Sequence, residues 1–180
     1  EKAMPALIET LKDSSENDTV RKSSAELLCQ MGEKSDRAIS AFTYVLRWSN
    51  NRPLKQKIAE ALVKTEKSIP ALVEALDFLI ENGDDNSLIE YIVESLGKMG
   101  KKAIPNLIEG IKYNVKIGCE CKSKLKALNK IGENAIPEII LALQDILQFK
   151  LSHDASYLMT AELIEILGGM GEKAAPAIPT

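Results

Sequence analysis

MGKKAIPNLI, residues 99–108, decides how this chain is read, because the phrase recurs. It returns as MGEKSDRAIS from Met31, IGENAIPEII from Ile131 and MGEKAAPAI from Met170, with looser copies TEKSIPALVEAL from Thr65 and EKAMPALIETL from Glu1. Five of the seven prolines lie in it, at Pro5, Pro70, Pro105, Pro137 and Pro176, and Ser40 takes the same place in the second copy. A period of roughly 30 to 40 residues is the signature of stacked helical repeats.

The phrase is a helix stop followed by a helix start. Gly32, Gly100, Gly132 and Gly171 stand where a left-handed residue closes a helix most cheaply. The proline falls a few residues later, in a first turn that has no use for its missing N–H. Upstream lie apolar residues three and four apart, such as Val20, Leu27, Leu28 and Met31 around small Ser24, or Leu88, Ile92, Val93, Leu96 and Met99. Downstream runs such as Ile69, Leu72, Val73, Leu76, Leu79 and Ile80 repeat the spacing. DSSEND, SNNRP and NGDDNS, rich in capping and turn residues, separate the pairs. No segment alternates with the two-residue period of a strand. The pattern predicts an all-α chain of A helices near 19–31, 53–64, 86–99, 119–131 and 155–170, each followed by a B helix except the last, with a lone B helix in front.

The segments VRKSSAELLCQMGEKSDRAISAF and ESLGKMGKKAIPNLIEGIK resemble the HEAT-like repeats of phycobilisome lyase subunits and of many bacterial and archaeal scaffold proteins. That resemblance covers nearly the whole chain. It implies a right-handed, armadillo-like α-solenoid of antiparallel helix pairs, a single domain over residues 1–180 with about five repeats. It speaks for fold far more than for function, since the shared residues are packing residues. Two departures are Thr65 in place of glycine and a longer connection over residues 116–120. The chain opens on Glu1 and stops just after an apparent helix start in EKAAPAIPT, so truncated ends, a longer parent and end-to-end self-association of the piece are expected.

At 180 residues, 45% hydrophobic and 27% charged, the composition is that of a protein with a continuous core. No apolar run is long enough to cross a membrane, and Cys29, Cys119 and Cys121 make no even disulfide framework, so a cytoplasmic protein is expected. The net charge of −3 hides blocks: residues 71–97 carry seven acids and no Lys or Arg, whereas residues 98–130 carry nine lysines against Glu109 and Glu120.

Catalytic constellations are missing. HEAT-like deoxyhypusine hydroxylases hold iron with several His-Glu pairs, and here there is one histidine, His153, in an expected loop. Cys119 and Cys121 on one helix would point about 200° apart and read as small packed side chains rather than a metal pair. Trp48 with Glu74 or Asp77 only faintly imitates the cleft of HEAT-like DNA glycosylases, and no phosphate loop or nucleophile elbow occurs. No cofactor and no metal are expected.

The surface is more informative. Counted from the proline, core residues fall one before it and two, three and six after it, so positions four and eight point away. Position eight holds Asp13, Trp48, Phe78, Tyr113 and Asp145; position four holds Glu9, Tyr44, Glu74, Glu109 and Leu141. In proteins of the resembling family this side is the concave groove. Trp48, Phe78, Tyr113 and Tyr44, with Glu74 and Glu109 between them, are therefore the expected partner-binding residues, selecting a basic or amide-rich protein. The alternative is a phosphate- or nucleic-acid-binding surface of Lys98, Lys101, Lys102, Lys122, Lys124 and Lys126. A lyase-type subunit is a further alternative that the resemblance raises.

Overall fold

The computed structural model describes residues 3–30, 36–83, 86–117, 119–148 and 154–169. Among them every regular element is a helix: α1 (Ala3–Lys12), α2 (Asp18–Gln30), α3 (Asp36–Trp48), α4 (Arg52–Leu62), α5 (Ile69–Glu81), α6 (Asn86–Met99), α7 (Ile104–Ile117), α8 (Lys122–Ile131), α9 (Ile136–Gln148) and α10 (Asp154–Gly169). The chain divides into two compact units, Glu1–Ile92 and Val93–Thr180. In the first, α1 packs on α3 and α3 on α5, while α2 packs on α4; α1 meets α2, and α3 meets α4, across the two layers. In the second, α7 packs on α9 and α8 on α10, with α7 against α8 and α9 against α10 across. Within each unit these helices thus pack on the next but one in a layer and on a sequence neighbour across it, as stacked pairs do.

The repeat register decides what is buried. On α5 and α7 the positions one before the proline and two, three and six after it are Ile69, Leu72, Val73 and Leu76, and Ile104, Leu107, Ile108 and Ile111, all buried. The stripe on α2 differs from its sequence reading. Val20 and Leu27 are 43% and 47% exposed, and the buried face is Arg21, Ser24, Ala25 and Leu28. Arg21 can lie there because Nε donates to the Leu11 carbonyl at 3.2 Å and a guanidinium nitrogen sits 3.5 Å from Asp18, leaving only its aliphatic stem to pack. Asn17 caps this helix, its side chain accepting from the Thr19 N–H at 2.8 Å.

The turns between paired helices follow the glycine logic where glycine is present. Gly132 closes α8 at φ 73°, ψ −146°, a region that side chains other than glycine's avoid, and Gly100 follows α6 at φ 61°. The third copy solves the same problem without glycine. From Leu62 to Pro70 it is one residue shorter than from Leu96 to Pro105 or Leu128 to Pro137, and Thr65 is extended at φ −132°, ψ 134°. Fully buried Ser68 then donates its hydroxyl to the Leu62 and Thr65 carbonyls, the groups a left-handed glycine would otherwise help satisfy.

The connection after α7 also departs from the sequence reading. The helix expected from residue 119 begins at Lys122, with Cys121 as its N-cap residue, so Cys119 and Cys121 lie in a loop. Buried Asn114 holds that loop, donating to the Glu120 carbonyl at 2.7 Å while its own carbonyl accepts from the Cys119 N–H at 2.9 Å.

Candidate functional site

Positions four and eight do face outward in both units. In the first unit Tyr44 and Trp48 lie one turn apart on α3 and are 41% and 61% exposed; Glu74 and Phe78 take the same places on α5, Glu74 exposed and Phe78 half-buried. Phe78 is covered because it meets Trp48 edge to face, ring centroids 5.0 Å apart at 63°. The Arg47 guanidinium lies 5.0 Å from the centre of the Phe78 ring and 5.9 Å from that of Trp48. It also donates to Glu74 at 2.6 Å, while its Nε is buried with no hydrogen-bond partner. These contacts brace the edge of Trp48 without covering it.

The Lys12 ammonium sits 5.7 Å from the Tyr44 ring centre. Lys12, Tyr44, Arg47, Trp48, Lys67 and Glu74 line an open cleft of about 480 Å³ together with Ile39, Thr43 and Pro70. Glu74, expected to recruit a basic partner, is engaged by Arg47, and the cleft holds three cations against this one acid. Asp13, at position eight of α1, accepts from the Ser15 hydroxyl at 2.6 Å and N–H at 2.8 Å, and these bonds hold its pKa below the ordinary carboxylate value.

In the second unit Tyr113 on α7 is 60% exposed and Leu141 on α9 is 59% exposed; Glu109 is exposed as well. Lys112 pairs with Asp145 of the next helix in the layer. Lys12, Arg47 and Lys112 all stand seven residues after the proline position, and each reaches position four or eight of the following layer helix: Tyr44, Glu74 and Asp145. Sequence reasoning passed over this position, although a cation recurring there opposite an acid or aromatic of the next copy was its signal.

The lysine surface is not assembled as the sequence implies. Lys98, Lys101, Lys102, Lys122 and Lys126 are exposed, but Lys124 is 1% exposed and belongs to the buried face of α8. It stands one helical turn before Leu128, in the register that Ser24 occupies before Leu28 on α2, so a spacing that gives a core place overrides its charge. Lys122 lies 3.2 Å from Glu120, and Lys130 donates to Glu94 at 2.9 Å. That hydrogen bond, followed by the charge of Lys130, lowers the Glu94 pKa against a smaller desolvation effect, with lesser help from the charges of Lys98 and Lys126. The patch thus contains its own counter-charge. Lys130 reaches Glu94 by crossing Gly97, where a Cβ would come within 2.8 Å of the Lys130 Cβ.

Among the described residues no group of three or more His, Cys, Asp or Glu is placed to hold a metal, and no helix is long and apolar enough to cross a membrane. His153 and Cys29 fall outside what is described for side chains. No family model matches the chain, and neither does any curated protein or solved structure.

Proposed function

We propose that this chain is a HEAT-like, right-handed α-solenoid acting as a non-enzymatic scaffold, which binds a protein partner through the outward positions of its B helices, α1, α3, α5, α7 and α9. The observation that carries this reading is Trp48, 61% exposed yet braced on one side by Phe78 and Arg47. A large ring held in one orientation before binding loses little conformational freedom on contact, which is what an interface anchor requires. Tyr113 on α7 supplies a second exposed ring of the same register. The layer contacts within each unit support the stacked-pair architecture. The lysine surface is the weaker candidate for contact, because Lys124 is inside and Lys130 is paired with Glu94.

Site-specific photo-crosslinking tests the proposal. A photoreactive residue placed at Trp48 or Tyr113 is expected to capture the same partner protein, whereas one placed at exposed Lys57 of α4 captures none. Capture from Lys57 alone, or equally from every position, would overturn the assignment of the face.

A further inference from the structure

The cleft between α3 and α5 has a chemistry that narrows the partner. Its single carboxylate, Glu74, lies 2.6 Å from Arg47, so the charge of Lys12 and Lys67 has no carboxylate of the cleft opposite it. The exposed rings of Tyr44 and Trp48 line the same cleft. Resting on the docking reading above, we propose that this cleft takes an acidic linear segment of the partner protein. Carboxylates of that segment meet Lys12 and Lys67, and an apolar side chain beside them covers the exposed part of Trp48.

Length and charge both fit such a segment. α3 has thirteen residues and is about 20 Å long, a distance that about six extended residues span. A short segment responds to the cations within a Debye length, about 8 to 10 Å in ordinary salt. A polyphosphate chain extends beyond it and meets the first unit as a whole, where sixteen Asp and Glu face twelve Lys and Arg over residues 1–92. The local field therefore favours a few carboxylates, and the wider field opposes nucleic acid.

Trp48 is the only tryptophan, so its emission reports occupancy of the cleft directly. The test titrates the chain with an eight-residue peptide alternating glutamate and leucine, with the same peptide carrying glutamine or lysine for glutamate, and with a twelve-residue oligothymidylate. Saturable change in Trp48 emission is expected with the glutamate peptide. Its Kd is expected to rise about tenfold in the Lys12→Gln, Lys67→Gln double variant and to rise with added salt. The Lys57→Gln variant on α4 should leave the Kd as it is. Circular dichroism of the double variant keeps loss of binding separate from loss of fold; if it unfolds, Lys12→Gln and Lys67→Gln are titrated singly. Equal binding of the glutamine or lysine peptide overturns the acidic assignment while leaving the face a docking surface. Tighter binding of oligothymidylate overturns it in favour of nucleic acid. Silence with every probe overturns the cleft as the site, and crosslinking from Tyr113 then decides whether the broader reading stands.

Discussion

Ser68 shows how one side chain can replace a backbone device. Its hydroxyl serves the Leu62 and Thr65 carbonyls in the one described turn between paired helices that lacks a left-handed glycine. Ser68→Ala should therefore cost about 0.5 to 1.5 kcal/mol in urea unfolding, the usual loss for a buried hydrogen bond. Gly132→Ala should cost about 1 to 3 kcal/mol because of its backbone angles, whereas Gly168→Ala, in the open on helical α10, should be neutral or slightly stabilising. Equal effects at the two glycines would show that the strain at Gly132 is relieved elsewhere. The glycine and proline phrase was legible because single residue types enforce it. Arg21 and Lys124 were not legible as buried, because composition-based reasoning puts cations outside. What lets Arg21 in is a carbonyl ten residues away, at Leu11, that no local pattern displays.

Between elements, the same limit explains which surface features could be read. Positions four and eight were identifiable as outward because they follow from helix geometry within a single element. The partners of position seven lie on the next helix of the layer, 27 residues on for Arg47 and 33 for Lys112, so their pairing needs the packed fold. Both partners of the Lys112–Asp145 pair are more than a third exposed. A double-mutant cycle with Lys112→Ala and Asp145→Ala should accordingly give a coupling of only about 0.2 to 1 kcal/mol that shrinks in high salt. Gly97 controls a different pair. Gly97→Ala should displace the Lys130 stem, loosen its bond to Glu94 and raise the Glu94 pKa towards its ordinary value, as NMR titration would record. The sign follows from linkage. With its folded-state pKa lowered, Glu94 contributes stability above the pKa of the unfolded chain, and that contribution disappears as the pH falls through the folded value. The Gly97→Ala protein should lose less of its stability on acidification than the parent, and an unchanged Glu94 titration would show that Lys130 finds another route.

For the whole molecule, burial is distributed along the chain rather than gathered at one centre. Ile58 in the first unit and Ile111 in the second are each fully buried. Truncating either to Ala should cost about 2 to 5 kcal/mol. Hydrogen exchange should then accelerate first in the unit that carries the cavity, as expected where stability is summed over neighbours. Simultaneous acceleration over both units would show instead that the chain opens as one.

The position-seven contacts also bear on how such an array changes in length over evolutionary time. Lys12, Arg47 and Lys112, all at position seven, each find their counterpart at position four or eight of the following copy. Where the pattern holds, duplicating a copy supplies a new donor together with a new acceptor, and losing one removes both. The array can then grow or shorten by whole units without stranding a charge, while a change of a few residues inside a copy breaks the match at once.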